Sequence, residues 1–206
     1  AAGVDKNCEM IPALASLGFG YLTVGTVTEH PRPGNPKPRM FRNVEDLSLI
    51  NALGFPGKGL VPVARQLELA SSSAKGTPIF VSISGTAMDE IVRCHRRLEA
   101  LVDAVEVNIS SPNTAGLRTF HDPDELTKLI GAINEVRHRP LIVKLPPYPG
   151  LETAPEGFAP KREELLDLVR VCKRFGVDGL TIANSRPTND SRLSVGAGGL
   201  SGRPIF

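Results

Sequence analysis

Ala104-Val105-Glu106-Val107-Asn108-Ile109-Ser110-Ser111-Pro112-Asn113-Thr114-Ala115-Gly116-Leu117-Arg118, followed by Asp122-Pro123-Asp124-Glu125, is the stretch whose reading decides the fold. Three of the first four residues are apolar, two of them valine, and the run reads as a short buried parallel strand. Side chains alternate on a strand, so Val105 and Val107 share one face, suited to a covering helix, and Glu106 and Asn108 share the other. Asp122, Pro123 and Glu125 carry the marks of a helix start, with Asp122 as N-cap, Pro123 at the first helical position and Glu125 three residues after the cap. Between them lie hydroxyls, amides, a proline and a glycine. A loop leading from a strand's C-terminal end to the next helix is where α/β folds build active sites. A loop of this composition also serves simply to turn the chain.

Outward from this unit the same alternation recurs. The spacing predicts a helix capped by Asn7, with Met10, Ile11, Leu14 and Leu17 on one face and Gly18 at its end, then a strand over Tyr21 to Thr26. Val61 to Ala70 reads as a helix, Pro78 to Ser84 as a strand and Met88 to Leu101 as a helix. Beyond the central unit, Leu141 to Leu145 and Gly179 to Ala183 read as strands flanking a helix from Arg162 to Phe175. Counting Ala1 to Lys6 as the end of a strand, six strand ends recur about every 30 to 40 residues. That is the rhythm of βα units around a parallel sheet. The fold class expected is α/β, a (β/α)8 TIM-type barrel seen as a partial barrel, with residues 1–206 forming a single domain incomplete at both ends. A doubly wound open sheet is the competing architecture, but no G-x-G-x-x-G turn follows an early strand. Val27 to Gly59, with prolines interleaved among Arg32, Lys37, Arg39 and Arg42, is expected to form a lid or a substrate wall. Gly196 to Gly202 reads as a Gly-rich loop.

The totals narrow the functional classes. The chain has 206 residues and a net charge of +2, which gives no reason to expect nucleic acid as a partner. Three dispersed cysteines and four scattered histidines offer neither a disulfide framework nor a metal-ligand spacing. Asn108-Ile109-Ser110 fits a glycosylation acceptor pattern, but nothing else points to secretion. No run approaches the roughly 18 apolar residues of a membrane span. Lys144 sits inside an apolar strand, where it needs an anion or strong acceptors, and Glu106 is a candidate ion-pair partner.

Asn-x-Ser-Ser-Pro-Asn-Thr-x-Gly-Leu-Arg resembles the active-site loop of the dihydroorotate dehydrogenases, in particular the membrane-associated, quinone-using class whose catalytic base is serine. The resemblance runs along nearly the whole chain. Ala1 to Lys6 is similar to the family's Ala-Gly-x-Asp-Lys segment, Gly25-Thr26-Val27-Thr28 to its Gly-Thr-Val-Thr, Asn51-Ala52-Leu53-Gly54-Phe55 to its substrate segment, and Gly199-Leu200-Ser201-Gly202 to its Gly-Leu-Ser-Gly. The resemblance implies FMN as cofactor, with Ala2, Gly3, Lys6, Thr26, Ser82, Asn108, Lys144, Ser201 and Gly202 around it. It implies dihydroorotate as substrate, held by Lys6, Asn51, Gly54, Phe55, Asn108, Asn113, Asn184 and Ser185. Ser111 falls on the base position, with Thr114 and Phe55 as candidates for its proton outlet. The implied reaction is oxidation of (S)-dihydroorotate to orotate in pyrimidine (UMP) biosynthesis, with electrons passing to a quinone. Leu145-Pro146-Pro147-Tyr148 is closer to the soluble cysteine class, which leaves fumarate or NAD open as acceptors. Ala52, Ser82 and Ala183 replace the family's usual arginine, asparagine and threonine. The serine class implies membrane association only through a segment preceding the barrel, so the location stays open between the cytoplasm and the periphery of an inner membrane. Two other readings remain: a different FMN barrel acting on a pyrimidine, and a flavin-free fragment completed by a partner.

Overall fold

A computed structural model of the chain describes residues 1–70, 76–110, 116–147, 162–182 and 184–205. Strand β1 is Leu22–Val27; β2, Met40–Asn43, and β3, Ser48–Asn51, follow it as a hairpin. β4 (Ile79–Ile83), β5 (Ala104–Asn108), β6 (Leu141–Lys144) and β7 (Gly179–Thr181) complete a five-stranded sheet with β1. Its order is β1-β4-β5-β6-β7 and every pairing is parallel. The order never reverses, so there is no topological switch point of the kind a doubly wound sheet requires. The sheet is a partial (β/α)8 barrel wall, with β1 and β7 at its two edges among the described residues.

Helices α1 (Ile11–Ala15), α2 (Leu60–Ala70), α3 (Met88–Leu98), α4 (Pro123–Asn134) and α5 (Arg162–Arg174) pack on the wall. Val81, Ile83, Val105 and Val143 have no exposed surface and share one cluster with Ile91 and Leu98 of α3 and Leu126 and Leu129 of α4. The alternation read from Ala104-Val105-Glu106-Val107-Asn108 therefore holds: the valines feed the helix layer, while Asn108 lines the barrel's other face. The Asp122 carboxylate accepts from the N–H groups of Asp124 (2.9 Å) and Glu125 (3.1 Å), as the capping pattern predicts. No helix among the described residues is long and apolar enough to cross a membrane.

Four expectations are corrected. Residues 1–6 form turns and not a strand end, although Gly3 N–H donates to Gly25 C=O (2.7 Å) and Gly25 N–H to Asp5 C=O (2.9 Å), tying the segment to β1. Asn7 does not cap α1. The helix begins at Ile11 with no side-chain cap; just before it the Asp5 carboxylate accepts from Glu9 N–H (2.9 Å) and Met10 N–H (2.8 Å), while Asn7 accepts from Lys58 N–H (3.0 Å). The Val27 to Gly59 connection does line a cleft through Asn51, Gly54 and Phe55, in keeping with the expected lid or wall, but it is not a bare loop, because it holds the β2–β3 hairpin. Gly196 to Gly202 is not a loop either: Ala197–Gly202 is strand β9, which pairs with β3 and with β8 (Arg186–Asn189) in a four-stranded antiparallel sheet. The glycines hide this strand from pattern reading and also permit it. A Cβ on Gly198 would lie 2.5 Å from the Asn51 carbonyl oxygen, so only glycine lets the two backbones approach.

His95 on α3 has no exposed surface, and neither ring nitrogen has a hydrogen-bond partner among the described residues. Burial pushes its pKa below the ordinary histidine value, and the Glu99 carboxylate, 4.0 Å away, only partly opposes this. The unfolded chain then binds a proton at higher pH than the folded one does, so stability is present above about pH 6.5 and declines as the pH falls below it. Urea midpoints measured from pH 7.5 down to 5 are expected to fall for the native chain and to fall less steeply for His95→Leu. Parallel slopes would show that another group governs this window.

Candidate active site

The parallel strands deliver their interior side chains to a cleft at their C-terminal ends. β1 contributes Thr26, β5 Asn108 and β6 Lys144; the N-terminal segment contributes Ala2, Gly3 and Lys6. β3 of the antiparallel sheet supplies Asn51 and the segment that follows it Gly54 and Phe55, and Asn184 and Ser185 line the cleft after β7. The cleft measures about 270 Å³, at the small end of the roughly 300–1,000 Å³ usual for ligand sites. Eleven residues that are far apart in sequence and were singled out above thus share one cavity.

A register irregularity places Thr26. Gly25 pairs with Ser82 and Val27 with Ile83, so Thr26 is an extra residue on β1, a bulge that redirects its side chain. Gly25 makes the bend feasible with φ near +97°, and a Cβ there would lie 2.5 Å from the Ser82 carbonyl oxygen. The Thr26 hydroxyl meets Ser82 Oγ at 3.1 Å and accepts from Asn108 Nδ2 at 3.1 Å. Asn108 Oδ1 accepts from Ser110 N–H (3.0 Å) and from Ser110 Oγ (2.6 Å), and Asn184 Nδ2 donates to Ser110 Oγ (2.7 Å). Ser84 Oγ, also buried, holds the Asn108 carbonyl at 2.8 Å. A continuous line of hydrogen bonds therefore joins the floor of the cleft from Ser82 to Asn184.

The electrostatics are one-signed. No carboxylate is among the described residues lining the cleft, but two lysines are. Lys6 donates to Gly3 C=O (2.8 Å), and burial lowers its pKa from the usual lysine value. The Lys144 side chain has no hydrogen bond or ion pair among the described residues, so the expected Lys144–Glu106 pair is not formed. Glu106 lies opposite Ile142 and Lys144 opposite Asn108, an offset of two residues, or about 6.6 Å along the strands. Glu106 instead accepts from Thr181 Oγ1 at 2.6 Å. The cleft thus presents amide and hydroxyl groups with two cations, a donor set suited to a ligand rich in acceptors and negative charge.

Other expected residues are placed differently. Ser82 lies behind Thr26 with no exposed surface. Ser201 and Gly202 are not brought into the cleft: their register on β9 pairs them with Leu49 and Ser48, and Ser201 Oγ donates to Leu49 C=O at 3.2 Å. They line a separate groove with Arg42 and Leu47. Ser111, Asn113 and Thr114 lie outside the described residues, as does Ala183. Sequence reasoning missed Ser110, Leu53, Pro56 and Gly199. Ser110 was findable, since it continues the Glu106, Asn108 alternation by one more step. The other three were not, because their place depends on the antiparallel sheet.

The family model described as dihydroorotate dehydrogenase matches residues 1–206. The chain is 38% identical to the dihydroorotate dehydrogenase (quinone) of Chloroflexus aurantiacus, the match covering 100% of the chain and 60% of that relative. It is likewise 38% identical to the mitochondrial dihydroorotate dehydrogenase (quinone) of Mus musculus, covering 100% of the chain and 54% of the relative. The crystal structure of DHODH from Eimeria tenella in complex with ferulenol matches with a TM-score of 0.82 and 32% identity, covering 99% of the chain and 61% of that structure. The chain spans about 60% of the length of the curated relatives it matches.

Lys144 and Asn108 are expected to differ in what they do for stability. Lys144→Met breaks no ion pair among the described residues and should change unfolding free energy by less than about 0.5 kcal/mol. Asn108→Ala strips buried partners from Thr26 and Ser110 and should cost roughly 1–3 kcal/mol. Urea unfolding of both variants checks this; a large loss in Lys144→Met would show that the lysine is structurally paired.

Proposed function

The chain belongs to the dihydroorotate dehydrogenase family, and from that premise we propose that it serves the FMN-dependent oxidation of (S)-dihydroorotate to orotate in pyrimidine biosynthesis, with a quinone as electron acceptor. The observation that carries this is the single cleft at the strand ends, which gathers Lys6, Thr26, Asn51, Asn108, Lys144 and Asn184 and is lined by two cations and no carboxylate among the described residues. A flavin ring presents carbonyl and imine acceptors with one imide N–H along its edge, and amides, hydroxyls and lysine ammonium groups match that pattern. The donor set fits. Ala2, Gly3, Thr26, Asn108 and Lys144 would hold the ring, with Ser82 bracing Thr26. When bound, FMN supplies the two-electron acceptor for the hydride that leaves C6 of the substrate.

The chain's own residues do the rest. Asn51, Gly54, Phe55, Asn108, Asn113, Asn184 and Ser185, with Lys6, would bind and orient dihydroorotate. Lys6 favours the substrate carboxylate by charge, and Lys144 favours negative charge developing across the cleft. Ser111 is the base that removes the C5 proton. A serine hydroxyl is a weak base, so it needs an outlet for that proton, for which Thr114 offers a hydroxyl and Phe55 an apolar wall. Quinone as acceptor is supported by the names of the relatives from Chloroflexus aurantiacus and Mus musculus, both dihydroorotate dehydrogenase (quinone).

The test is a visible spectrum of the purified chain with FMN, then with dihydroorotate under anaerobic conditions. A bound-flavin spectrum that bleaches on addition is expected, and a spectrum of free flavin alone would overturn the assignment for this chain. Ser111→Ala should keep the bound-flavin spectrum and lose about 10²–10⁴-fold in the rate of bleaching. An unchanged rate would remove Ser111 as the base.

A further inference from the structure

Two pocket amides, Asn108 and Asn184, have orientations that can be read without ambiguity, because each faces a backbone N–H. A backbone N–H can only donate, so the amide atom it meets must be oxygen. Ser110 N–H meets Asn108 at 3.0 Å and Ser185 N–H meets Asn184 at 2.8 Å, which fixes Oδ1 at both contacts. It follows that the Asn184 atom on Ser110 Oγ is Nδ2, a donor, at 2.7 Å. The Ser110 hydroxyl accepts there and must send its own proton the other way, to Asn108 Oδ1 at 2.6 Å. Asn108 Oδ1 then has both acceptor positions used, and its Nδ2 turns to Thr26 Oγ1 at 3.1 Å. Asn184 Oδ1 is engaged by Ser185 N–H and, at 3.4 Å, by Ser185 Oγ. Among the described residues, what each amide has left is one N–H.

Ser110 itself has no exposed surface, whereas Asn108 and Asn184 both line the cleft. We propose that Ser110, whose N–H and hydroxyl both hold Asn108 Oδ1 and whose hydroxyl oxygen takes one Asn184 N–H, is a positioning residue that, with the Ser185 N–H, locks both amides as hydrogen-bond donors toward the cleft, so that the ligand atoms meeting Asn108 and Asn184 are acceptors, carbonyl or carboxylate oxygens. This rests on the pyrimidine reading above for the identity of the ligand, but not for the lock. It removes one attraction of asparagine, its ability to match donors and acceptors alike. The imide N–H of a pyrimidine finds no acceptor on either of these two amides. A site so polarised selects among ring ligands by where their oxygens lie.

The lock is tested on the full chain labelled with ¹⁵N, by side-chain amide hydrogen exchange. In Ser110→Ala the Asn184 Nδ2 protons are expected to exchange at least tenfold faster than in the native chain; unchanged exchange overturns the lock. Should Ser110→Ala not fold, Ser110→Cys, which keeps the volume with a weaker acceptor, is expected to shift exchange in the same direction, and no shift there overturns the lock equally. Donor polarity is tested with orotate. Asn184→Asp, which puts an acceptor-only group in the same shape, should weaken orotate binding more than Asn184→Ala does, and an equal or smaller loss overturns the polarity. Failure of the native chain to bind orotate would sink the pyrimidine reading, while the exchange result still decides whether Ser110 holds the amides.

Discussion

Polar side chains that a parallel sheet turns inward, out of reach of bulk water, need hydrogen-bond partners, and the rest of this structure depends on how that constraint is met. An unpartnered buried donor or acceptor costs about 1–3 kcal/mol, a large share of the stability of a domain this size. Here the need is met sideways, from strand to strand: Ser82 on β4, Thr26 on the bulge of β1, Asn108 on β5, then Ser110 and Asn184 beyond the strand ends. The bonds cross between strands already fixed by their ladders. No member can rotate without stranding its neighbours.

That rigidity is what the cleft makes use of. A group held by two or three bonds to the scaffold has already lost its rotational freedom, so a ligand that meets it does not have to order it. The cations work differently. Lys6 is tethered only to Gly3 C=O, and Lys144 to nothing among the described residues, so both charges stay available to the cavity. Polar groups set geometry, and charge sets the sign of what is attracted. The helix layer on the other face, packed around Val81, Val105 and Val143, keeps the strands in register and so holds the line of bonds in place.

Much of this was legible in residue order. Val105 and Val107 announce one face and Asn108 the other, and the Asp122-Pro123-x-Glu125 start of α4 is a local matter of two hydrogen bonds from backbone N–H groups to the Asp122 carboxylate. The five parallel strands could be read because each lies in a short run rich in apolar residues; β5 is buried along its whole length, whereas β7 at the edge is half-buried. The start of α1 could not: Asn7 reads as an able cap, but its side chain is drawn to Lys58 N–H, 51 residues away, and α1 begins at Ile11 with no side-chain cap.

By itself the sequence determined the βα rhythm, the inward face of Asn108, and the family to which the chain belongs, because strand alternation, helix capping and motif are all local properties of residue order. Tertiary structure alone decided the antiparallel sheet, where Leu49 meets Ser201 across 152 residues, and with it the placing of Ser201 and Gly202 away from the cleft. It also decided that Lys144 and Glu106 miss each other and that Ser110 holds two amides in one polarity. Each of these turns on register or on contact between distant segments, and neither quantity is written in any window of the chain.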